Sequence, residues 1–224
     1  MSLRPRAVPL SPMLAPSHGR RHWLLLSLKS FAALGWVLGS APVHAGRQIE
    51  EPLADAVRSV LSAAIASPAP PRPEFASEAA SQAHQRWLAG QDSRLARHIP
   101  QPQIRREFLQ TVWYEAQRAG LDRKLVLGLI QVESGFRKYA ISSAGARGYM
   151  QVMPFWSRLI GDGDSARLFD LQTNLRFGCV ILRHYLDMER GELFMALGRY
   201  NGSRGKAPYP EAVLAASRTW DVPG

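Results

Sequence analysis

Apolar side chains recur at helical spacing through the second half of the chain. The residues of the first such stripe are three or four positions apart, namely Ile104, Phe108, Val112, Ala116 and Ala119. This spacing predicts an amphipathic helix, which Gly120 ends. Asp122 is a suitable N-cap for a second helix, which we expect to run to Ser134 and to stop at Gly135.

Shorter helices are predicted over the rest of this half, separated by polar turns. Their boundaries, marked by proline, glycine and capping residues, are Pro154 to about Ile160, Thr173 or Asn174 to Gly191, Glu192 to about Tyr200, and Pro210 onward. Residues 162–169 have the composition of a loop. Because the two-residue alternation typical of strands is nearly absent, we predict an all-α domain over residues 101–224.

Residues 46–100 precede this domain and are less regular. The Glu-Glu-Pro sequence at 50–52 favours a helix start, and apolar residues then recur at helical spacing up to Ile65. Four prolines within residues 67–73 predict a stiff linker. A second helix, polar and rich in alanine, is expected from Ser77 to about Arg97. Whether this N-terminal segment docks onto the domain or recruits a partner is left open by the sequence.

The first 45 residues have the pattern of an export signal. They contain five basic residues and no Asp or Glu, and an apolar run with a single lysine extends from Trp23 to Gly39. A Val-x-Ala sequence follows and ends at Ala45, so we predict a signal peptide cleaved near Ala45 and a periplasmic or exported mature protein. The run is short for a bilayer, so we expect no stable membrane span after cleavage. Arg20-Arg21 leaves the twin-arginine and the general export routes both open.

Much of the chain's charge belongs to that signal. The 224 residues include 28 Lys and Arg against 18 Asp and Glu, a formal net charge of +10. Without the five basic residues of the signal, 23 remain against the same 18 acids, so the mature part carries +5. A modestly basic exported protein suits an anionic cell envelope, and we expect no nucleic-acid partner.

Cysteine and histidine usage excludes several other classes of protein. The single Cys179 excludes a disulfide framework and any zinc site with two cysteines, and we expect it to be a small buried hydrophobe. The six histidines show no ligand spacing, and no phosphate-loop, nucleotide-binding or Ser-His-Asp pattern is present. We therefore expect no cofactor and no metal site.

Glu133 occupies a position that favours an apolar residue. Val126, Ile130 and Glu133 lie at i, i+4 and i+7, so the carboxyl group continues an apolar stripe in the last turn of its helix. Desolvation and the negative end of the helix dipole both raise the pKa of a carboxyl group there. A carboxyl group that stays protonated near neutral pH can act as a general acid. The alternative is a frayed helix end at which Glu133 reaches solvent.

Glu133 also begins a series of short sequence blocks. In chain order these are Glu133-Ser-Gly-Phe, Gly148-Tyr-Met-Gln151, Asn174-Leu-x-x-Gly178 and Tyr200-Asn201-Gly202. Together they closely resemble the catalytic domain of soluble lytic transglycosylases, lysozyme-like enzymes that cleave bacterial peptidoglycan. The resemblance covers about residues 121–205 and extends toward Trp220. It implies a lysozyme-like helical domain with a cleft and peptidoglycan glycan strands as the partner.

The resemblance implies roles for residues of the first and last blocks. Glu133 matches the family's only catalytic acid and base, and Ser134 matches a serine that helps to position the glutamate or the substrate. Tyr200 and Asn201 match a Tyr-Asn pair, which implies a tyrosine hydroxyl near the catalytic carboxyl and an asparagine in the cleft. A core tyrosine followed by a helix C-cap is the alternative interpretation of this pair.

The second block is implied to line the cleft beside the scissile bond. Gly148, Met150 and Gln151 match the family's Gly-Leu-Met-Gln sequence. Tyr149 stands where the family most often has leucine, which keeps an apolar ring but adds a hydroxyl that can contact the glycan. A tight turn that feeds a packed segment is the alternative interpretation of this block.

The chemistry that the resemblance implies is non-hydrolytic cleavage of the β-1,4 bond between N-acetylmuramic acid and N-acetylglucosamine, with formation of a 1,6-anhydro end. Glycoside hydrolysis normally needs two carboxylates. The sequence blocks offer only Glu133, and the next acidic residues, Asp162, Asp164 and Asp170, are predicted to lie in loops. Two alternatives stay open. One is a muramidase-type hydrolase, and the other is a non-catalytic cell-wall-binding or secretion-system scaffold with a cell-envelope assembly partner.

Aromatic side chains around these blocks have two interpretations. Tyr139, Phe155, Trp156 and Trp220 have rings that can stack on sugars or fill a core. At helical spacing we expect all four to belong to the core.

Overall fold

Helices account for most of the residues that the computed structural model describes, which are 48–66 and 75–221. They are α1 Asp55–Ala66, α2 Glu78–Leu95, α3 Pro102–Arg118, α4 Arg123–Ser134, α5 Pro154–Ile160, α6 Leu171–Met188, α7 Leu193–Asn201 and α8 Pro208–Arg218, with a 3₁₀ helix, Ser165–Phe169, before α6. Within these residues the only β-type pairings are two isolated bridges at Arg147. The all-α prediction is confirmed for this part of the chain. The predicted signal peptide and the proline-rich linker lie outside the described residues.

At Asp122, Gly135 and Ser77 the sequence contains a capping residue, and the observed helix end agrees with the predicted one. The Asp122 side chain accepts a hydrogen bond from the Lys124 N–H at 2.9 Å and caps α4, and Gly135 ends that helix with φ of 57°. Ser77 caps α2 through the Ala80 N–H at 3.2 Å. Both caps satisfy backbone groups that a helix end leaves open, so residues within the same turn determine where these helices begin.

Four predicted boundaries are wrong. Helix α1 begins at Asp55 and not at residues 50–52, and α8 begins at Pro208 and not at Pro210. The expected loop over residues 162–169 contains the 3₁₀ helix, because the Asp164 side chain accepts a hydrogen bond from the Ala166 N–H and caps it. Helix α6 begins at Leu171, so neither Thr173 nor Asn174 is its N-cap. The Asn174 side chain instead bonds to distant backbone groups, as described below.

Helix α4 packs most extensively against α8. Gly128 allows this approach, because a Cβ atom there would lie 2.5 Å from the backbone nitrogen of Ser217 in α8. The apolar residues of α4 are buried over nearly its whole length. As a result, the first turn of α8 lies against the end of α4 that carries Glu133.

Helix α1 is attached to the domain by buried charges. Glu115 of α3 accepts hydrogen bonds from the Nε and Nη2 atoms of Arg176 in α6, at 3.1 and 3.0 Å. Arg176 and Arg118 also donate to the carbonyl oxygens of Ile65 and Ala64, in the last turn of α1. Cationic side chains are favourable at a helix C-terminus because the dipole is negative there. Helix α1 therefore packs against α3 and α6.

A second group of contacts attaches α2 and the residues before α1. Gln91 and Arg94 of α2 donate to the carbonyl oxygens of Trp220 and Thr219, at 2.8 and 2.7 Å. The Trp156 ring nitrogen donates to Gln48 at 2.9 Å. Within the residues described here, no helix is both long and apolar enough to cross a membrane.

Candidate active site

Glu133 is buried in the last turn of α4, with only 5% of its surface exposed. The hydroxyl of Tyr209 donates a hydrogen bond to Oε1, while Oε2 is buried and has no hydrogen-bond partner among the described residues. Burial raises the pKa of Glu133 from 4.5 to about 8, although the bond from Tyr209 opposes this rise. The alternative of a solvated, frayed helix end is wrong. Glu133 is therefore mainly protonated at neutral pH.

A cleft of about 390 Å³ opens beside Glu133. Its lining comes from the end of α4 and from the loop that follows, namely Val132, Glu133, Ser134, Gly135, Arg137, Ala140, Ile141, Ser142, Ser143 and Gln151. Three of the residues predicted for the site, Glu133, Ser134 and Gln151, thus share one cavity. Glu133 is the only acidic residue in this lining.

Ser134 is buried next to the catalytic candidate. Its hydroxyl donates to the carbonyl oxygen of Ile130, one turn back in α4, at 3.2 Å. This bond is internal to the helix and does not reach Glu133. Ser134 thus lines the cleft, but its hydroxyl makes no bond to the carboxyl group.

Gly148 and Asn174 shape the backbone of the second block. Gly148 has φ of 74°, and a Cβ atom there would lie 2.4 Å from the Asn174 side-chain nitrogen and 2.5 Å from the Leu168 carbonyl oxygen. Asn174 accepts from the Met150 N–H at 2.8 Å and donates to the carbonyl oxygens of Arg147 and Leu168. One buried amide from α6 therefore holds the turn that carries this block.

The side chains of the second block point to different places. Tyr149 is buried against Phe108, with ring centroids 5.0 Å apart, and Met150 is buried against Gly178 of α6. Gln151 has φ of 48° and donates from its amide to the carbonyl oxygens of Ala140, at 3.0 Å, and Gly148, at 2.9 Å. Gln151 alone of the block lines the cleft, and its left-handed backbone is an uncommon conformation for a residue with a side chain.

Tyr200 and Asn201 lie at the end of α7, and neither lines the cleft. The hydroxyl of Tyr200 donates to the Met150 carbonyl oxygen at 2.8 Å, which supports the backbone next to Gln151. The side-chain nitrogen of Asn201 donates to Ser203, and its oxygen is buried without a partner among the described residues. Gly202, with φ of 73°, is the C-cap of α7. The hydroxyl that bonds to Glu133 is that of Tyr209, not that of Tyr200.

Tyr209 is the hydrogen-bond partner of Glu133, and the sequence analysis did not identify it. It lies between Pro208 and Pro210 in the first turn of α8, 76 positions from Glu133. The two prolines mark a helix start, but nothing local indicates which side chain will face the carboxyl group. Only the packing of α8 on α4 brings the pair together.

The remaining candidates have mainly structural positions. Phe155, Trp156 and Trp220 are buried, as expected, and so is Cys179. Tyr139 is 71% exposed, so its assignment to the core is wrong. It follows the end of α4 in a surface turn, where its ring contacts that of Phe169 with centroids 5.9 Å apart.

No second carboxyl group lines the cleft in the part of the chain described here. Asp162 pairs with Arg167, Asp164 caps the 3₁₀ helix, and Asp170 is the N-cap residue of α6. The described residues also contain no group of three or more His, Cys, Asp or Glu side chains that could hold a metal ion. The chemistry available at the cleft therefore depends on one buried carboxyl group and its tyrosine donor.

Comparison with known families defines the class of this domain. Residues 110–211 match the family described as the transglycosylase SLT domain. Over this segment the chain is similar to lytic transglycosylase domains. The match contains Glu133, the Gly148–Gln151 block, Tyr200 and Tyr209.

Curated relatives resemble the same segment. The membrane-bound lytic murein transglycosylase C of Haemophilus influenzae (strain PittEE) is 35% identical over 115 residues, which is 45% of this chain and 32% of the relative. The protein of that name from Mannheimia succiniciproducens is 49% identical over 49 residues, 22% of this chain and 14% of the relative. The chain thus spans about a third or less of the length of these relatives. An X-ray structure of an inactive mutant of the lytic transglycosylase Slt from Pseudomonas aeruginosa aligns with 50% of this chain and 23% of that chain, at 24% identity and a TM-score of 0.45.

Proposed function

We propose that this protein is a lytic transglycosylase that cleaves the glycan strands of peptidoglycan. The observation that carries the proposal is a single buried carboxyl group, Glu133, with a pKa near 8 in the cleft of an SLT domain. A general acid works best when its pKa lies near the working pH. The curated relatives are named murein transglycosylases, which supports the same substrate class.

The proposed reaction uses Glu133 twice. First, its proton moves to the glycosidic oxygen as the bond between C1 of N-acetylmuramic acid and that oxygen breaks. The ionised Glu133 then removes the proton of the C6 hydroxyl of the same sugar, and the C6 oxygen bonds to C1. The product is a 1,6-anhydro end, and Glu133 is protonated again for the next cycle.

The absence of a second cleft carboxylate among the described residues favours this route over hydrolysis. Glycoside hydrolases normally place a second carboxylate to activate a water molecule or to attack the sugar. When the C6 hydroxyl of the same sugar is the nucleophile, neither role of the second carboxylate is needed, because the hydroxyl is already attached to the reacting sugar. A muramidase-type hydrolase therefore fits this cleft less well.

The neighbouring residues have supporting roles in this proposal. Tyr209 stabilises the ionised form of Glu133 during the second step, because its hydroxyl donates to Oε1. Gln151 and Ser134 contact the sugar next to the scissile bond, since both line the cleft. The other predicted site residues support the backbone of the cleft wall and do not contact the sugar. They are Gly148, Tyr149, Met150, Tyr200 and Asn201.

We also propose that the protein acts in the periplasm. Residues 1–45 have the pattern of an export signal, and peptidoglycan is found outside the cytoplasmic membrane. The relatives are named membrane-bound, which is consistent with an envelope location. In this proposal residues 46–100 form a docked N-terminal segment and residues 101–224 the catalytic domain.

Digestion of purified sacculi tests the proposed reaction. We expect soluble muropeptides with 1,6-anhydro ends, each lighter by one water molecule than the corresponding hydrolysis product, as measured by mass spectrometry. Products with ordinary reducing ends would identify a hydrolase instead. If no soluble product forms under conditions in which a known muramidase digests the same sacculi, the catalytic proposal is wrong.

Removal of the tyrosine donor should move the pH profile. Tyr209→Phe takes away a hydrogen bond that favours the ionised carboxyl group, so the pKa of Glu133 should rise further above about 8. We expect the alkaline limb of kcat/KM, where the general acid is lost, to move to higher pH. The measurement is the pH dependence of kcat/KM on soluble glycan strands.

Tyr200→Phe is the matched control for this experiment. It removes a buried tyrosine hydroxyl whose bond goes to the Met150 carbonyl oxygen and not to Glu133. Its alkaline limb should therefore move less than that of Tyr209→Phe, because Tyr200 lies near Glu133 but makes no hydrogen bond to it. A common shift in both variants would show that Tyr209 does not act specifically on Glu133.

A further inference from the structure

Arg137 lies in the cleft on a tightly turned segment that follows α4. Gly135 and Phe136 both adopt left-handed backbone conformations, with φ of 57° and 65°. Phe136 is buried against Trp220, with ring centroids 5.2 Å apart, so the turn is anchored in the core. Across this turn the Arg137 Nε–H donates to the Ser134 carbonyl oxygen, with 2.8 Å between nitrogen and oxygen. Arg137 is therefore positioned beside the catalytic candidate.

Arg137 has no acidic partner among the described residues. Several other exposed or half-exposed arginines pair with a carboxylate, as Arg204 does with Glu189 and Arg183 with Asp187. Arg137 makes one side-chain hydrogen bond, through Nε, although a guanidinium group has five N–H donors. The only carboxyl group in the lining is Glu133, which is mainly neutral at pH 7. The cleft thus carries a positive charge that the described residues do not neutralise.

A helix-capping role explains only part of this arrangement. The bond to Ser134 satisfies one carbonyl group at the C-terminus of α4, where a cation is favourable. That bond uses the Nε–H and does not account for the two terminal nitrogens of the guanidinium group. These nitrogens form the fork that binds carboxylates with two parallel hydrogen bonds.

Resting on the proposed function, we propose that Arg137 binds a carboxylate of the peptidoglycan strand and makes cleavage selective for anionic strands. Two parts of the substrate offer this group. The stem peptide carries free carboxylates, and the lactyl group of N-acetylmuramic acid becomes a carboxylate where that peptide has been removed. The lactyl group lies on the sugar whose C1 bond is cleaved, and the stem peptide is attached to that sugar through it, so a cation in the cleft can bind either carboxylate while Glu133 faces the scissile bond.

The test compares Arg137→Gln with the wild type on three soluble substrates of matched glycan length. The first has intact stem peptides, the second has the same peptides with their carboxylates converted to methylamides, and the third has been stripped of peptides by an amidase. We measure kcat and KM from the release of 1,6-anhydro ends. On at least one carboxylate-bearing substrate we expect Arg137→Gln to lower kcat/KM about tenfold, mainly through KM, as is typical for the loss of a hydrogen bond to a charged group. On methylamide strands the two enzymes should be equal.

The stripped strands identify the source of the carboxylate. If the tenfold ratio appears on stripped strands but not on intact ones, Arg137 binds the lactyl carboxylate, and if it appears only on intact strands, Arg137 binds a stem-peptide carboxylate. An equal ratio on charged and on methylamide strands would overturn the proposal and leave Arg137 as a helix cap. Failure of the wild type to form anhydro ends from any substrate would instead refute the proposed function.

Arg86→Gln is the charge-matched control. Arg86 is exposed on α2 and does not line the cleft, and its replacement lowers the net charge by the same amount. It should leave kcat/KM unchanged on all three substrates. If Arg86→Gln also lost about tenfold on anionic strands, the preference would come from the overall charge of the protein and not from Arg137.

Discussion

Glu133→Gln is expected to abolish glycan cleavage and, at neutral pH, to stabilise the fold. The amide cannot donate a proton and then accept one, so release of anhydro products should fall by about 10³-fold or more. Stability should change in the opposite direction, because Glu133 is a buried acid whose ionised form the folded protein disfavours. A buried ionisable group that opposes folding is typical of an active site.

The pH dependence of this stability follows from the two pKa values. The unfolded chain has the ordinary pKa of 4.5 and the folded protein a pKa of about 8. Below pH 4.5 both states are protonated, and Glu133 does not disfavour folding. Between pH 4.5 and about 8 only the unfolded state ionises, so stability is lost as the pH rises. At pH 7 the loss is on the order of 3 kcal/mol, and Glu133→Gln should remove most of it.

Chemical denaturation of both proteins at pH 4 and pH 7 measures this effect. The variant should be the more stable protein at pH 7 and about equal to the wild type at pH 4. Glu107→Gln, which changes an exposed carboxyl group of α3, should show no such pH-dependent gain. The test compares the difference in the free energy of unfolding between Glu133→Gln and the wild type at the two pH values. If this difference were no larger at pH 7 than at pH 4, the carboxyl group would not be held neutral by burial.

Glu115→Gln is expected to cause the largest loss of stability. Glu115 is 1% exposed and lies against the guanidinium groups of Arg176 and Arg118. Breaking a buried ion pair on one side costs about 3–5 kcal/mol, because the remaining charge stays buried. The same two arginines bind the last carbonyl groups of α1, so the attachment of α1 should weaken as well.

Urea unfolding and hydrogen exchange distinguish the two parts of this prediction. The free energy of unfolding should fall by about 3–5 kcal/mol, and amide exchange in α1 should accelerate. Asp187→Asn is the control, since it breaks an exposed pair with Arg183 and should cost less than about 1 kcal/mol. A loss of similar size in both variants would mean that burial does not strengthen the Glu115 pair.

The sequence predicts most of the helices and the main feature of the site. Asp122 and Gly135 mark the ends of α4, and Pro154 marks the start of α5, because each acts on backbone groups within one turn. The burial of Glu133 also follows from local information, since its position on an apolar stripe is a property of the helix period. The predictions at Asn174 and Tyr139 are wrong for the opposite reason. The Asn174 amide bonds to backbone 24 and 27 residues away, and the exposure of Tyr139 depends on how the surface turn lies on the domain.

The sequence by itself determined an all-α domain, a buried acid at the end of one helix and the order of the sequence blocks around it. Only the tertiary structure decided which groups meet that acid. Tyr209 reaches Glu133 across 76 positions, and Arg137 enters the cleft because Gly135 and Phe136 turn the chain. Helix periods and caps act between residues three or four positions apart, so a sequence shows them directly. Contacts between helices depend on how whole apolar faces pack, and no local pattern specifies which polar side chain such packing brings to a buried carboxyl group.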